Sequence, residues 1–393
     1  MKKPLLLVLS LLLAACSGGG STSAPPEEPT ATPAPSTTPT PGTGGHAFIV
    51  TGDFESGSYA ALPLADPSNS RVDIGAVHGD AVARSFDGRV YVVNRFGADS
   101  IQGIDPQRDW ATIFQCSVGN GSNPHDIAFA APDKAYVTRY EEASLAIVDP
   151  SVGPGCEGFM RGEIDLTAFA DSDGIPEMDQ MVIVDGLLFV SLQRLDRNQF
   201  FEPAGESFLV VIDTATDTPI DTAPETPGVD PIVLRWTNPL GAGQGLPLHP
   251  ATGDIIVAQI GSFGIIGDGG IETISPTTFA STGLLITEAD IGLNITDFVA
   301  VDGRTAWAIG TDETFRNYIL QIDTTLRESV RTIFESEAFL PDMELERHSS
   351  KIWLTDRTFG AAGIRIFSAT DGSGIENAVR STGLPPTGII FVD

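Results

Sequence analysis

The sequence has few basic residues for its length. Only 22 lysines and arginines stand against 52 aspartates and glutamates in 393 residues, and the formal net charge is −30. Nucleic acids are bound through clustered basic side chains, so this balance excludes a nucleic-acid-binding protein. It favours divalent cations or basic ligands as partners, although such acidity also serves solubility alone.

Histidine and cysteine are scarce as well. The five histidines and three cysteines cannot build a haem or copper centre with many histidine ligands. The sequence also has no C-x-x-C-H, H-E-x-x-H, G-x-S-x-G or phosphate-loop motif. No catalytic residue and no cofactor is therefore assigned from motifs.

The first residues, MKKPLLLVLSLLLAAC, have the pattern of an export signal. Two lysines precede an apolar run that is too short to span a bilayer as a stable helix. The segment Leu13–Cys16 resembles the bacterial lipobox, which implies cleavage after residue 15 and acylation of Cys16. Ser17 follows, and resemblance to sorted lipoproteins implies the outer membrane, with the periplasmic or surface side left open.

Residues 16–45 are rich in Ser, Thr, Pro and Gly and have almost no apolar side chains. Such a segment cannot bury a core, so it is predicted to be a disordered tether. The chain is therefore divided into a signal peptide at 1–15, a lipidated linker at 16–45 and one domain at 46–393.

That domain repeats one pattern: a polar corner, a short apolar strand, a turn, a second strand, a loop and a third strand ending near Asp-Pro. The clearest copies are His78–Pro106 and Asn123–Pro150. Periods of roughly 40–50 residues with four short strands are typical of β-propeller blades. First strands are predicted to begin near Ala81, Ile127, Met181, Leu246, Phe298 and Met343, with insertions at 194–207 and 218–231.

The two ends of the domain supply a seventh blade. Residues 389–392 are a first strand with nothing after it, and residues 46–66 contain a second and a third strand with nothing before them. Residues 72–77 would be the fourth. The sequence thus predicts an all-β fold, a seven-bladed propeller closed by its C-terminal strand, which hides the sheet edges. We expect it to be a monomer.

The repeat resembles the YVTN β-propeller repeats of bacterial surface and secreted proteins. The resemblance rests on Tyr91–Asn94, Tyr136–Arg139, Val211–Thr216 and the corner Asn123–Asp126. Blades from Leu246 onward depart from the pattern. The resemblance implies a seven-bladed ring with a surface or periplasmic role, and it leaves the reaction open because such families include lactonases, lyases and pure binders.

In a propeller, the connection between blades and the loop between strands two and three emerge on one face. Aspartates precede the first strands at five corners, where they either cap backbone amides or form a ring of carboxylates that attracts a cation. Arginines lie in the second-to-third loops, where they either pair with those aspartates or hold an anionic group. These candidate binding residues are Asp80, Asp126, Asp179, Asp297, Asp342, Arg95, Arg139, Arg194 and Arg357.

Two other groups are candidates for specific chemistry. His78 and His125 flank two of the corner aspartates and could ligate a transition metal, or simply form hydrogen bonds. Asp171, Asp173 and Glu177 lie in a loop that resembles the start of a calcium loop, or a solvated acidic turn.

Cys116 and Cys156 lie in the outer parts of neighbouring blades. In an exported protein such a pair can form a disulfide if the two positions are at matching heights. The sequence leaves this pairing open.

Two functions remain. The first is a binding or scaffold module, anchored to the membrane by lipid, that presents its loop face to an envelope protein, a glycan or a small anionic ligand. The alternative is a lactonase-like hydrolase or lyase at the channel mouth, with His78, Asp80, His125 and Asp126 as its acid–base groups.

Overall fold

The computed structural model describes residues 45–240, 245–375 and 378–393. They form seven antiparallel sheets, one per blade of a propeller, and one additional two-stranded sheet within blade 4. This confirms the predicted all-β, seven-bladed propeller. The predicted signal peptide, the lipidation site Cys16 and nearly all of the linker lie outside the described residues.

The first three blades follow the repeat closely, with inner strands rich in small and apolar residues. Blade 1 begins with β1 (His46–Gly52), β2 (Gly57–Pro63) and β3 (Ala76–Val77). Blade 2 contains β4 (Ala81–Phe86), β5 (Arg89–Asn94), β6 (Ser100–Asp105) and β7 (Ala111–Ser117), with a 3₁₀ turn at Pro106–Arg108. Blade 3 contains β8 (Pro124–Ala131), β9 (Lys134–Arg139), β10 (Ser144–Val148) and β11 (Met160–Asp165).

Blades 4 and 5 carry the insertions. Blade 4 contains β12 (Met178–Val184), β13 (Leu187–Leu192), a small hairpin of β14 (Leu195–Asp196) and β15 (Glu202–Pro203), then β16 (Phe208–Asp213), β17 (Thr218–Ile220) and β18 (Ile232–Val233). Further 3₁₀ turns lie at Thr167–Phe169 and Arg197–Gln199. Blade 5 contains β19 (Pro239–Leu240), β20 (Ile255–Gln259), β21 (Gly270–Ile274) and β22 (Ser281–Thr287).

Blades 6 and 7 complete the ring. A one-turn helix, α1 (Glu288–Ile291), precedes blade 6, which contains β23 (Asn294–Ala300), β24 (Thr305–Thr311), β25 (Asn317–Asp323) and β26 (Glu328–Ser336). Blade 7 contains β27 (Met343–Glu346), β28 (Lys351–Asp356) and β29 (Gly363–Ser368). The last strand is β30 (Pro386–Val392).

Strand β30 closes the ring as the inner strand of blade 1, as predicted. It pairs antiparallel with β1, with Phe48 opposite Ile390 and Ile49 opposite Ile389. The sheet order is β3–β2–β1–β30, so the two ends of the domain share one blade. Closure pairs the inner edge of β1, which would otherwise be open.

The cores lie between adjacent blades because each strand presents an apolar face to each neighbouring sheet. Trp307 of blade 6 packs with Met343 and Leu354 of blade 7, and Trp353 of blade 7 packs with Ile49 and Ile389 of blade 1. Burying each large side chain contributes about 1.5–3 kcal/mol. The ring is therefore held by contacts between blades as much as by the sheets.

Two strand predictions were wrong in detail. The inner strand of blade 5 was expected to begin near Leu246, but it begins at Pro239, and the next contact with β20 is the bridge between Leu248 and Ile255. The stretch 218–231 was expected to be an insertion, but its first residues are β17, which pairs with β16. A proline in each of these strands weakens the pattern of a strand.

Candidate functional site

One corner aspartate, Asp126, links two neighbouring blades. One carboxylate oxygen of Asp126 accepts the amide of Ile127 in its own strand at 2.7 Å. The other accepts the amide of Met181, in the inner strand of blade 4, at 2.7 Å. The carboxylate is buried, so these bonds also compensate for its lost hydration.

The same contact recurs at two other blade junctions. Asp297 of blade 6 accepts the amide of Met343 of blade 7 at 2.7 Å, and Asp342 of blade 7 accepts the amide of Ile389 in β30 at 2.6 Å. Both aspartates are buried. The structural interpretation, that corner aspartates cap backbone amides, therefore describes these three residues.

Arg84 is the cation among these carboxylates, and the sequence analysis missed it. Its Nε lies 2.7 Å from Asp126, and its guanidinium donates to Gln180 of blade 4 at 2.9 Å. The side chains of Arg84 and Asp126 are 11% and 1% exposed. The sequence signal was an arginine inside an inner strand whose neighbours are small or apolar, which calls for a buried partner.

The pKa values of Asp297 and Asp342 are raised by burial. Burial raises the pKa of Asp342 to about 6. Burial and the nearby charge of Asp342 also raise the pKa of Asp297 well above its ordinary value. Since two like charges in a buried site disfavour double ionisation, this junction takes up a proton more readily than free carboxylates do.

The corner aspartate of blade 2 is different. Asp80 is 47% exposed at its side chain and lies 3.4 Å from Arg95, while its amide donates to Nδ1 of His78 at 3.2 Å. Within the described residues, the Asp80 carboxylate accepts no backbone amide of the neighbouring blade, as Asp126 does from Met181. Asp80 and Arg95 form a solvent-facing ion pair on the loop face.

The other three predicted arginines contact carboxylate or carbonyl groups of the chain itself. Arg139 lies 2.9 Å from Glu163 of the same blade. Arg194 donates to the backbone carbonyl of Glu206. Arg357 donates at 3.0 Å to a backbone carbonyl at the end of β1, across the junction of blades 7 and 1. Each guanidinium thus has acceptors within the chain, and the four lie in separate loops.

His125 belongs to a buried polar cluster in blades 3 and 4. Its Nδ1 lies 2.9 Å from Asp179, its ring stacks on Tyr140 with centroids 4.2 Å apart, and Gln193 donates to Asp179 at 3.1 Å. Burial lowers the pKa of His125, assisted by the charge of Arg95, against the opposing effect of Asp179. A neutral ring with its proton on Nδ1 can donate to Asp179, and this tautomer leaves Nε2 as an acceptor.

The predicted calcium loop lies beside Arg197, whose Nε is 3.8 Å from Asp173. Glu177 is fully buried and accepts Nε of Arg197 at 2.9 Å and the amide of Leu195 at 3.0 Å. Burial raises the pKa of Glu177 to about 7. Asp171 and Asp173 lie together, and burial and the neighbouring carboxyl raise the pKa of Asp171. Among the described residues, no three His, Cys, Asp or Glu side chains are arranged to hold a metal ion.

Cys116 and Cys156 are bonded in the structure. Their Cα atoms lie 5.5 Å apart, which is the ordinary spacing for a disulfide. The bond joins the outer strand of blade 2 to the long loop of blade 3. The two outer positions therefore have the matching heights that the sequence could not establish.

Exposed phenylalanines form a further group on the loop face, which the sequence analysis also missed. In blades 1, 2, 4, 5, 6 and 7 the second-to-third loop carries an exposed phenylalanine, and the blade 6–7 connection adds another. The residues, called here the phenylalanine crown, are Phe54, Phe96, Phe200, Phe201, Phe263, Phe315, Phe339 and Phe359. Within the described part of the chain, every exposed phenylalanine belongs to this set.

Backbone geometry makes the phenylalanine crown more unusual. Phe54, Phe200, Phe201 and Phe315 have φ values of 72°, 59°, 60° and 63°, in the left-handed region. For a residue with a side chain this region costs about 1–2 kcal/mol. Phe359 is fully exposed and precedes a glycine with φ of 76°, around which a Cβ would meet no other atom. These loops therefore hold large apolar side chains out from the ring.

A cavity of about 440 Å³ lies at the opposite end of the inner strands. Phe298, Leu345 and Phe391 line its apolar part, and Arg347 and His348 lie at its rim. None of the residues predicted for the binding face lines it. The candidate functional residues and this cavity are thus on different faces of the ring.

No protein-family model matches the chain, and no curated protein matches it. The resemblance to YVTN repeats therefore stays a prediction. Among solved structures, the chain is similar to a putative 6-phosphogluconolactonase from Bacteroides fragilis, with 13% identity, a TM-score of 0.57, and coverage of 92% of this chain and 100% of the other.

Two further structures have similar folds. Apo AztD from Citrobacter koseri gives 13% identity, a TM-score of 0.53, and coverage of 89% of this chain and 98% of that one. A quinonprotein alcohol dehydrogenase-like protein from Bacteroides thetaiotaomicron gives 12% identity, a TM-score of 0.57, and coverage of 89% and 78%. At this level of identity the likeness shows the propeller fold alone.

Proposed function

We propose that the protein is a binding module of the bacterial cell envelope, anchored by lipid at Cys16, that contacts a partner protein through its loop face. The observation that carries this proposal is the phenylalanine crown. Monomeric proteins rarely gather exposed apolar side chains on one face, and such a patch marks an interaction surface. Aromatic side chains also supply much of the energy of protein interfaces.

Folding stability does not explain the crown. An exposed phenylalanine buries little surface, and four members also adopt a strained backbone conformation. A chain selected for stability alone would place glycine or asparagine at such positions. Strain and exposure at the same residues support a role in contact with another molecule.

The tether supports a role as a displayed module. Strand β1 starts at the face opposite the loop face, because His46 pairs with Pro63 and with Val392 at the end of the inner strand. His46 therefore lies away from the crown. We infer that the linker before it supplies reach.

The predicted arginine patch supports this function less directly. Arg139, Arg194 and Arg357 contact acceptors in the chain, and Arg95 lies 3.4 Å from Asp80, so an anionic ligand would have to compete with these contacts. We propose that they position the loops that carry the crown. A small anionic ligand is accordingly the weaker candidate.

The experiment is a cross-linked pull-down of the full chain from envelopes of its own host. The test variant replaces Phe96, Phe315 and Phe359 by Ser. The matched control replaces three apolar residues that are exposed elsewhere on the ring by Ser: Val72, Leu326 and Val330. We expect one partner to be recovered with the native chain and the control and lost with the test variant. Equal recovery with both variants would refute the loop-face module.

A second candidate is a hydrolase or lyase, for which the observation is the His125–Asp179 pair. A neutral histidine held by a carboxylate with Nε2 left as an acceptor is suited to a general base. One similar structure carries the description of a putative lactonase, so lactones are the substrates to screen first. Lactone hydrolysis by the native chain that is lost in His125→Asn would support this candidate, and no activity on any lactone would remove it.

A further inference from the structure

We propose that the phenylalanine crown binds an arginine-rich, extended segment of a partner protein. This inference rests on the proposed function and specifies the chemistry of the partner at the same face. The partner's guanidinium groups would stack on crown phenylalanines while the neighbouring carboxylates of the loop face pair with their charge.

Exposed carboxylates are close in sequence to three phenylalanines of the crown. Glu55 follows Phe54, Glu202 follows Phe201, and Glu313 lies two residues before Phe315 in sequence; all three are exposed. On the same face, Arg139, Arg194 and Arg357 donate to acceptors in the chain, and Arg95 lies 3.4 Å from Asp80. With a net charge of −30, the ring therefore offers this face to cations and repels anions.

The loop face already contains examples of the contact that we propose. The guanidinium of Arg357 lies 5.1 Å from the ring centroid of Phe54, and that of Arg197 lies 5.9 Å from Phe201 and 5.8 Å from Tyr140. These contacts involve arginine rather than lysine. A planar guanidinium stacks on an aromatic face and pairs with a carboxylate at the same time, which an ammonium does less well.

A lipid surface is a less favourable occupant. Because Glu55, Glu202 and Glu313 adjoin crown residues, inserting the phenylalanines into a bilayer would bring carboxylates toward the apolar region. Burying an unpaired carboxylate there is costly. Anionic headgroups would also be repelled by the ring. A basic protein segment satisfies both the aromatic rings and the carboxylates.

The test uses the full chain in detergent micelles and fluorescence anisotropy at physiological ionic strength. The probe is a labelled synthetic peptide of alternating arginine and serine, with lysine and glutamate versions as comparisons. The crown variant is Phe96→Ser, Phe315→Ser and Phe359→Ser, and the matched control is Val72→Ser, Leu326→Ser and Val330→Ser. Both variants keep the net charge, and all six positions are exposed, so folding should be unaffected.

We expect the native chain and the control to bind the arginine peptide alike, and the crown variant to bind at least about tenfold more weakly, given the size of cation–π contacts. The lysine peptide should bind more weakly than the arginine peptide, and the glutamate peptide should not bind. A variant with Glu55, Glu202 and Glu313 changed to Gln should also bind the arginine peptide more weakly.

Equal binding of the arginine peptide by the crown variant and the native chain would overturn the proposal, because charge alone would then explain the affinity. Crown-dependent binding to phosphatidylcholine vesicles without peptide binding would overturn it in favour of a lipid surface. If the envelope partner is lost with the crown variant but no arginine peptide binds, the binding module stands and this inference fails. If the crown variant recovers the envelope partner and binds the arginine peptide as well as the native chain does, both proposals fail.

Discussion

The carboxylate of Asp126 accepts the backbone amide of Met181 in the next blade at 2.7 Å, and its other oxygen pairs with Arg84. One short side chain therefore joins two inner strands and neutralises a buried cation. Asp297 and Asp342 make the same contact with the next blade. The sequence suggested these corner aspartates as a cation site, but in the structure they hold neighbouring blades together.

We predict that Asp126→Ala lowers the free energy of unfolding by about 3–5 kcal/mol, because it leaves Arg84 buried without its carboxylate and the Met181 amide without its acceptor. Urea denaturation followed by circular dichroism measures the change. Asp80→Ala is the matched control: its side chain is 47% exposed, so the change should stay within about 1 kcal/mol. Equal effects of the two substitutions would contradict the structural role.

These two aspartates show what the sequence could and could not predict. Asp80 and Asp126 occupy the same place in the repeated pattern, yet their side chains are 47% and 1% exposed. The reason is register: Ala83, three residues after Asp80, pairs with Val92, whereas Ile127, one residue after Asp126, pairs with the corresponding Val137 after an irregularity in β8. Asp126 therefore lies within its inner strand and Asp80 lies before its own, and no local pattern reveals this difference.

The fold itself was predictable because alternating apolar strands and Asp-Gly turns recur at a blade-like spacing. Blade 5 was the exception, since its inner strand begins with Pro239, and a proline weakens the sequence pattern of a strand. The crown was partly visible as Phe-Gly at Phe96, Phe263 and Phe359. Its meaning was not, because exposure and membership of one face depend on the closed ring.

The raised pKa of Asp342 makes stability depend on pH in a defined direction. Because its pKa of about 6 in the folded state exceeds the ordinary value of 3.8, the folded protein holds a proton that the unfolded chain releases. This group therefore favours folding at low pH, and its contribution is lost as pH rises from about 4 to about 6. The neighbouring Asp297 acts in the same direction.

We predict that Asp342→Asn removes this loss of folding free energy at higher pH. The side-chain amide oxygen of the asparagine can still accept the Ile389 amide, but it carries no charge. Between pH 4 and pH 7 the variant should gain on the order of 1–3 kcal/mol in unfolding free energy relative to the native chain. Urea midpoints across that pH range measure it. Asp371→Asn is the control, because the pKa of Asp371, about 2, lies below this pH range. A parallel change of unfolding free energy with pH in both variants would count against a role of the buried pair Asp297 and Asp342.

Closure by β30 gives a third prediction. Ile389 and Ile390 are 2% exposed and pack against different blade junctions, so deleting residues 389–393 opens the ring. We expect the truncated chain to lose its cooperative thermal transition in circular dichroism. Removing Asp393 alone, which is exposed, should leave the transition unchanged. A normal melt of the longer deletion would show that the ring holds without its last strand.

The disulfide gives the last prediction. Cys116 and Cys156 are separated by 40 residues, and a cross-link closing a loop of that length stabilises a protein by up to about 4 kcal/mol through the unfolded chain. We expect Cys116→Ala with Cys156→Ala to lower the unfolding free energy by about 2–4 kcal/mol while keeping the propeller, since the bond lies at the outer strands.

Reductant should weaken the native chain and leave the double variant unchanged. Intact-mass measurement of native protein before and after reduction checks the bond itself, and the expected difference is two hydrogens. The urea midpoint of the native chain could instead stay the same after reductant, although its mass shows complete reduction. That result would mean that the packing of Phe114 and Phe159 near the two cysteines is sufficient to hold blades 2 and 3 together.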